Sequence, residues 1–340
     1  MTAELSRPKG PPLLQLTNVS RHFTVRKGLP GQGKAVLRAV DDASLDVRPG
    51  ETVGLVGESG SGKSTLGRLA LRLLDVTRGN IAFDGNNITN LRGNRLRELR
   101  RDIQVVFQDP LGSLNPRMRV GDILAEPMLA FGLVGRQAAP ARVAELLTSV
   151  GLDPGRAAAY PRQLSGGQRQ RVGIARALAL DPRFIVLDEA VSALDVSVQA
   201  QIVNLLVELR QQRGLSYLFI AHSLAVVRHI SHRVAVMYLG RIVEIADSDA
   251  VFAHPGHPYT EALLSAVPVP EPGTARERIV LRGEPPSPTD IPSGCRFRTR
   301  CRYAQDICAQ EEPALQQTAP NQWIACHLPL TNSEQTGLTA

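Results

Sequence analysis

Glu51-Thr-Val-Gly-Leu-Val-Gly57-Glu-Ser-Gly-Ser-Gly62-Lys63-Ser64-Thr65 reads as a buried strand that runs straight into a glycine-rich loop and then into a helix. The glycines allow a tight loop whose backbone N–H groups point inward at phosphate oxygens. Lys63 adds a cation for the β- and γ-phosphates, and Ser64 supplies a hydroxyl to Mg²⁺. The helix that follows aims its positive end at the same phosphates. Gly57, Ser59, Gly60, Ser61, Gly62, Lys63, Ser64 and Thr65 are therefore candidate nucleotide-binding residues.

Working outward, Phe184-Ile-Val-Leu-Asp188-Glu189 supplies the second half of such a site. Four apolar residues bury a strand and deliver Asp188 to its C-terminal end, where ligands bind in open α/β sheets. Asp188 is placed to hold Mg²⁺ and Glu189 to polarise an attacking water. Ile103 to Phe107 and Tyr217 to Ala221 are further short apolar runs, the pattern of central strands in a parallel sheet. Val196 to Gln212 is an amphipathic helix between two of these strands. Leu14 to Leu16 and Ala35 to Val47 alternate apolar and polar residues and predict strands, and Ser64 to Leu74 predicts a helix. Between Arg119 and Leu180 strands give way to helical segments such as Ala141 to Val150 and Gln168 to Leu180, which reads as an inserted helical subdomain. Two apolar strands between Arg233 and Ile245 are joined at Tyr238 to Gly240.

The 340 residues are too many for one simple core and predict a large domain with an extension. The hydrophobic share of 43% and charged share of 21% are those of a globular protein. No apolar run spans a bilayer and Met1 to Pro12 has no secretory h-region, which predicts a cytoplasmic chain. The net charge is +7, mostly arginine, with lysines only at 9, 27, 34 and 63. That balance suits nucleic acid, an anionic membrane surface or a nucleotide without choosing among them.

Leu164-Ser165-Gly166-Gly167-Gln168-Arg169-Gln170 resembles the signature sequence of ABC transporter ATPases. Ser165 alone reads as a helix N-cap, and a helix N-terminus is also an anion site. The resemblance covers about Leu13 to Ala246. It implies a P-loop NTPase (RecA-like) α/β core with an antiparallel β subdomain, the helical insertion and a small cysteine-containing C-terminal extension. It implies ATP and Mg²⁺ as ligands, with Ser64, Gln108 and Asp188 at the cation. Glu189, His222 and Gln108 are then the catalytic set, and Phe23 the ring that stacks on adenine. Ser165, Gly166, Gly167 and Gln168 would face the ATP of a partner subunit in a head-to-tail pair, with Asp195 in the loop that crosses between them. Ala190 and Ser223 stand where the family commonly has Pro and Asp or Asn, and neither position carries a chemical role.

His257-Pro-Tyr259-Thr260-Glu261-Ala-Leu-Leu-Ser-Ala-Val-Pro268 closely resembles the C-terminal signature of the dipeptide/oligopeptide importer subfamily, and Gly283 to Pro288, Pro292 to Cys295 and Asp109 to Pro116 extend the match. The resemblance implies ATP-driven import of di- or oligopeptides, or the same role in nickel or glutathione-type import. It implies a paralogous ATPase partner, two permeases, an extracytoplasmic solute-binding protein, and a place on the cytoplasmic face of the inner membrane. A soluble ABC ATPase acting on nucleic acid or the ribosome is the distant alternative. It is disfavoured by the single cassette and the absence of heptads between Lys63 and Ser165, so no nucleic-acid partner is expected. The expected divisions are a flexible 1–12, an ATPase domain over 13–267 with its helical subdomain at about 119–180, an extension over 268–330, and a disordered 331–340.

Cys295, Cys301, Cys308 and Cys326 all fall in the extension, spaced C-x5-C-x6-C-x17-C. Four thiolates in a core-poor segment can hold a tetrahedral zinc or an iron–sulfur cluster, and a cytoplasmic setting argues against disulfides. Resemblance to the subfamily favours a [4Fe–4S] cluster, with zinc second and His327 as a stray ligand.

Overall fold

The computed structural model describes residues 10–26, 34–266, 279–281 and 283–330; the expected N-terminal and C-terminal tails and the boundary at 268 lie largely outside them. Two sheets organise the chain. The smaller is antiparallel, built from β1 (Leu14–Arg26), β2 (Lys34–Val47), β4 (Arg78–Phe83) and β5 (Asn86–Asn87) in the order β2-β1-β4-β5. Residues of β1 and β2 alternate between core and solvent, as expected for a sheet with one covered face.

The larger sheet contains β3 (Thr52–Val56), β6 (Ile103–Val106), β7 (Phe184–Asp188), β8 (Ser216–Ile220), β9 (Arg233–Tyr238), β10 (Arg241–Asp247), β11 (Gln316–Ala319) and β12 (Gln322–Ile324). Its order is β11-β12-β10-β9-β3-β8-β7-β6. The run β9-β3-β8-β7-β6 is parallel. Every residue of β3, β7 and β8 is buried, because helices cover both faces. β8 lies between β3 and β7, so three parallel strand ends meet at one rim. β9 and β10 form a hairpin across Leu239 and Gly240, both left-handed, which suits the twist of a two-residue turn.

Helices Val120–Ala130, Ala139–Ser149 and Gly166–Leu178 lie between β6 and β7 and pack in one core with the helix Val196–Arg213. The helix expected over Ser64 to Leu74 is shorter, Lys63–Ala70, and turns at Leu71 to Leu74. The strand expected to reach Phe107 ends at Val106. β11 and β12 were not expected: β12 pairs antiparallel with β10 (Glu244 with Ile324, Ile245 with Trp323), so the extension joins the main sheet. Glu244 anchors the junction. Its fully buried carboxylate accepts from the N–H groups of Gly256 at 2.8 Å and His257 at 2.9 Å, and burial pushes its pKa up. Arg296 completes the docking through Leu239 O, Glu312 and Asp41.

Candidate functional site

The glycine-rich loop leaves β3 and is pressed against the neighbouring β-structure. A Cβ on Gly57 would stand 2.1 Å from Met237 O, and one on Gly62 2.2 Å from Ala39 O; both residues also have positive φ. Only glycine fits either place. Gly60 is left-handed too, while Ser59 and Ser61 complete the curve and Gly62 caps the helix that begins at Lys63 and includes Thr65. Lys63 is buried, and its Nζ donates to Gly57 O and Glu58 O, both at 2.8 Å. Burial holds its pKa below the ordinary lysine range, against the opposing fields of Glu189, Asp188 and Glu58.

Ser64 and Asp188 meet across the loop, with the hydroxyl donating to Oδ1 at 2.9 Å. Burial raises the Asp188 pKa, the Ser64 hydrogen bond opposes that rise, and the Glu189 charge adds to it. These two oxygens are the hydroxyl–carboxylate pair that a divalent cation needs at a phosphate site, so the donor set fits MgATP. Glu189 follows at the end of β7 with a left-handed φ of 50°. Such a conformation costs a non-glycine residue about 1 kcal/mol or more and persists where the surroundings enforce it. Here its N–H donates to Ile220 O at 2.9 Å. His222, just past β8, places Nε2 2.7 Å from Glu189 Oε1. The loop, Asp188, Glu189 and His222 thus converge at the rim where β3, β7 and β8 end.

The other expected residues lie on other surfaces or at the margin. Gln108 is exposed two residues beyond β6. Phe23 is half-buried on β1 opposite Leu37, with the Arg21 guanidinium 4.6 Å over its ring. Ser165 is exposed and caps the helix Gly166–Leu178: its Oγ accepts from Gln168 N at 3.3 Å, and Gln168 Oε1 accepts from Ser165 N at 3.1 Å. This reciprocal box accounts for Ser and Gln at their spacing. Gly166 and Gly167 face Leu194 and Val198, so the helix start sits against the loop of Asp195, itself exposed.

Cys295, Cys301, Cys308 and Cys326 line one small cavity together with His257 and His327. Burial raises the thiol pKa of Cys295, Cys301 and Cys326, the last to about 12. The donor types suit a metal, but among the described residues no group of three or more His, Cys, Asp or Glu side chains is arranged to hold one. The expected [4Fe–4S] cluster, and zinc after it, therefore find no support in this geometry. His327 Nε2 instead lies 3.0 Å from Glu311 O.

Two contacts at the loop were not read from the sequence. The Tyr259 hydroxyl accepts from Glu58 N at 2.7 Å, and Arg300 forms a two-pronged pair with the Glu58 carboxylate. The signal was Glu58 itself, an acid in a phosphate-binding loop, but nothing along the chain says which base answers it.

The profile of the ABC transporter family matches residues 40–192, and that of the oligopeptide/dipeptide transporter C-terminal region matches residues 243–308. A probable peptide ABC transporter ATP-binding protein of Sinorhizobium fredii, y4tS, is 52% identical over 93% of this chain and 90% of its own length. The chain belongs to the ABC transporter family. It is an ABC-type ATPase with the oligopeptide-branch C-terminal region. The oligopeptide transport ATP-binding protein AppF of Bacillus subtilis is 50% identical over 93% of this chain and 97% of that protein. Among solved ABC cassettes, the dimeric cassette MJ0796 bound to ADP and phosphate superposes with a TM-score of 0.61 at 29% identity, covering 69% of this chain and 98% of that one. The fold is thus that of an ABC cassette over about two thirds of the chain. Among the described residues no helix is long and apolar enough to cross a membrane.

Proposed function

We propose that this ATPase energises the uptake of di- or oligopeptides through separate membrane permeases. The observation that carries the chemistry is the meeting of Lys63, Ser64, Asp188, Glu189 and His222 at one sheet rim. MgATP brings the scissile γ-phosphate, whose transfer asks the protein for positioning and charge stabilisation more than covalent chemistry. Gly57, Ser59, Gly60, Ser61, Gly62 and Thr65 shape the cradle, and Lys63 turns from the loop carbonyls to the phosphates. Ser64 and Asp188, with Gln108, hold the cation. Glu189 orients the attacking water, and His222 holds the Glu189 carboxylate and the γ-phosphate side of the site. Phe23 offers a ring face to adenine.

The exposed Ser165 and Asp195, with the half-buried Gly166 to Gln168 beside them, form a separate surface, which fits a site completed head to tail by a second ATPase. We take that partner to be a paralogue, with two permeases and an extracytoplasmic binding protein completing the transporter at the inner face of the membrane. The peptide cargo is supported by the naming of the relatives and by the extension they share. Among the described residues the cysteines are not arranged as a metal site, and stoichiometric iron or zinc in protein purified without oxygen would restore one.

Glu189→Gln tests the chemistry. It is expected to bind MgATP as the wild type does and to turn over at least about a hundredfold more slowly. In vesicles holding the permeases and binding protein, the same variant should abolish uptake of a labelled tripeptide. Near-normal turnover would remove Glu189 from its role, and uptake of nickel without peptide would replace the cargo.

A further inference from the structure

A phosphate-binding loop receives a polyanion, so a carboxylate within it opposes the ligand unless another charge cancels it. This loop carries one at Glu58, close enough for its field to act on Lys63. Arg300 answers it: Nη1 donates to Glu58 Oε2 at 2.7 Å and Nη2 to Oε1 at 3.0 Å. The arginine side chain is only 6% exposed and its partner 27%, so solvent screens the pair weakly. Fork-on-carboxylate geometry also fixes orientation, which a lysine would not do. The Tyr259 hydroxyl takes the backbone N–H of the same residue, 201 positions away in the chain, while Arg300 lies 242 positions away.

The arginine is held firmly. Cys295 N donates to Cys308 O at 2.8 Å across the segment, and Arg298 N to Cys295 O and Arg300 N to Phe297 O then close two tight turns, the second ending at Arg300. Gly294 permits the first of these bonds, since a Cβ there would stand 2.4 Å from Cys308 O. Phe297 packs on Tyr259 and Tyr238 at 5.3 and 5.2 Å between ring centroids, so the turn that ends at Arg300 rests on the ring whose hydroxyl takes the Glu58 N–H.

We propose that Arg300 is a positioning residue of the ATP site: its pair with Glu58 cancels the loop's own negative charge and, with Tyr259, fixes where the loop begins. The inference rests on the ATPase reading of that site. It assigns the extension a part in nucleotide affinity, exerted through Glu58 and not by contact with the phosphates.

The test compares full-length wild type, Arg300→Met, Arg300→Lys, Glu58→Gln, Tyr259→Phe and the Arg300→Met/Glu58→Gln double variant. Turnover is measured against ATP concentration, together with equilibrium binding of a fluorescent trinitrophenyl-ATP. Arg300→Met is expected to raise KM and the probe's Kd about tenfold at low salt, with kcat within about twofold. The difference should shrink at about 0.5 M KCl. Removing the exposed acid in the same chain should restore affinity, so the double variant should bind within about threefold of wild type, and Arg300→Lys should fall between. Glu58→Gln alone removes the acid that opposes the ligand and keeps an acceptor for Arg300, so its loss of affinity should be smaller than that of Arg300→Lys and should vary little with salt, and this arm stands even where Arg300→Met fails to fold. An unchanged KM in Arg300→Met overturns the proposal. So does a loss that the double variant does not repair, which makes Arg300 a packing residue, or a tenfold loss in Glu58→Gln. Wild type that binds the probe without hydrolysing ATP refutes the ATPase reading instead, and the binding series still decides the role of Arg300.

Discussion

His232 shows how single residues set the pH range in which the chain stays folded. Its Nδ1 accepts from Thr52 N at 2.9 Å and lies 3.2 Å from the Arg210 guanidinium, so the ring is neutral. Burial, and then the Arg210 charge, pull its pKa down to about 4. Between that value and the unfolded value near 6.5, the unfolded chain binds a proton that the folded chain refuses. Its contribution to stability is therefore complete above about pH 6.5 and is lost as the pH falls toward 4. His257, driven down to about 3 by burial, acts in the same direction. Urea unfolding of wild type should weaken by about 2 kcal/mol per histidine between pH 7 and pH 5. His232→Asn, whose amide oxygen can stand in for Nδ1, should lose that much less. An unaltered slope would remove His232 from the account. At this scale the sequence was legible where chemistry repeats a pattern, as at Lys63 and Asp188. It was silent at His232 and Arg300, whose properties come from partners far along the chain.

Among the elements, Arg233 is one of the residues that fasten the two sheets together. Arg233 begins β9 and donates to Glu51 Oε1 at 2.7 Å, to Glu51 Oε2 at 3.0 Å and to Asp46 Oδ2 at 3.0 Å, linking β9 to β2 and to the residue before β3. Glu51 is fully buried, so Arg233→Met would leave an interior carboxylate without its counter-charge, held only by the Arg48 N–H at 2.8 Å. We expect a loss of roughly 3–5 kcal/mol, partly recovered when Glu51→Gln is added. A singly substituted protein melting within about 2 °C of wild type would contradict this. The strands around this joint were readable because β3, β7 and β8 are short apolar runs buried on both faces. β11 and β12 escaped notice because Gln316-Gln-Thr-Ala319 and Gln322-Trp-Ile324 carry little apolar pattern. Pairing makes strands of them, β12 against β10 and β11 against β12. The helix Lys63–Ala70 ended early because Arg72 turns left-handed and its buried guanidinium reaches Ile88 O at 3.0 Å, a contact no local propensity encodes.

For the whole molecule, the extension is neither an ornament nor a free module, since it is bound to the ATP loop at one end and to the main sheet at the other. β12 occupies the side of β10 that β9 leaves open. Cutting the chain after residue 266 would strip that side while Val243 and Ile245 remain in place beside it. The result is a bare row of N–H and C=O groups flanked by apolar side chains, the template on which foreign strands add. The shortened protein should scatter light and sediment as multimers at micromolar concentration, and a monomeric, soluble product would refute this. On this view the C-terminal hairpin serves as a guard against misassembly: it keeps a sticky sheet edge satisfied from within, so that no foreign strand finds it open.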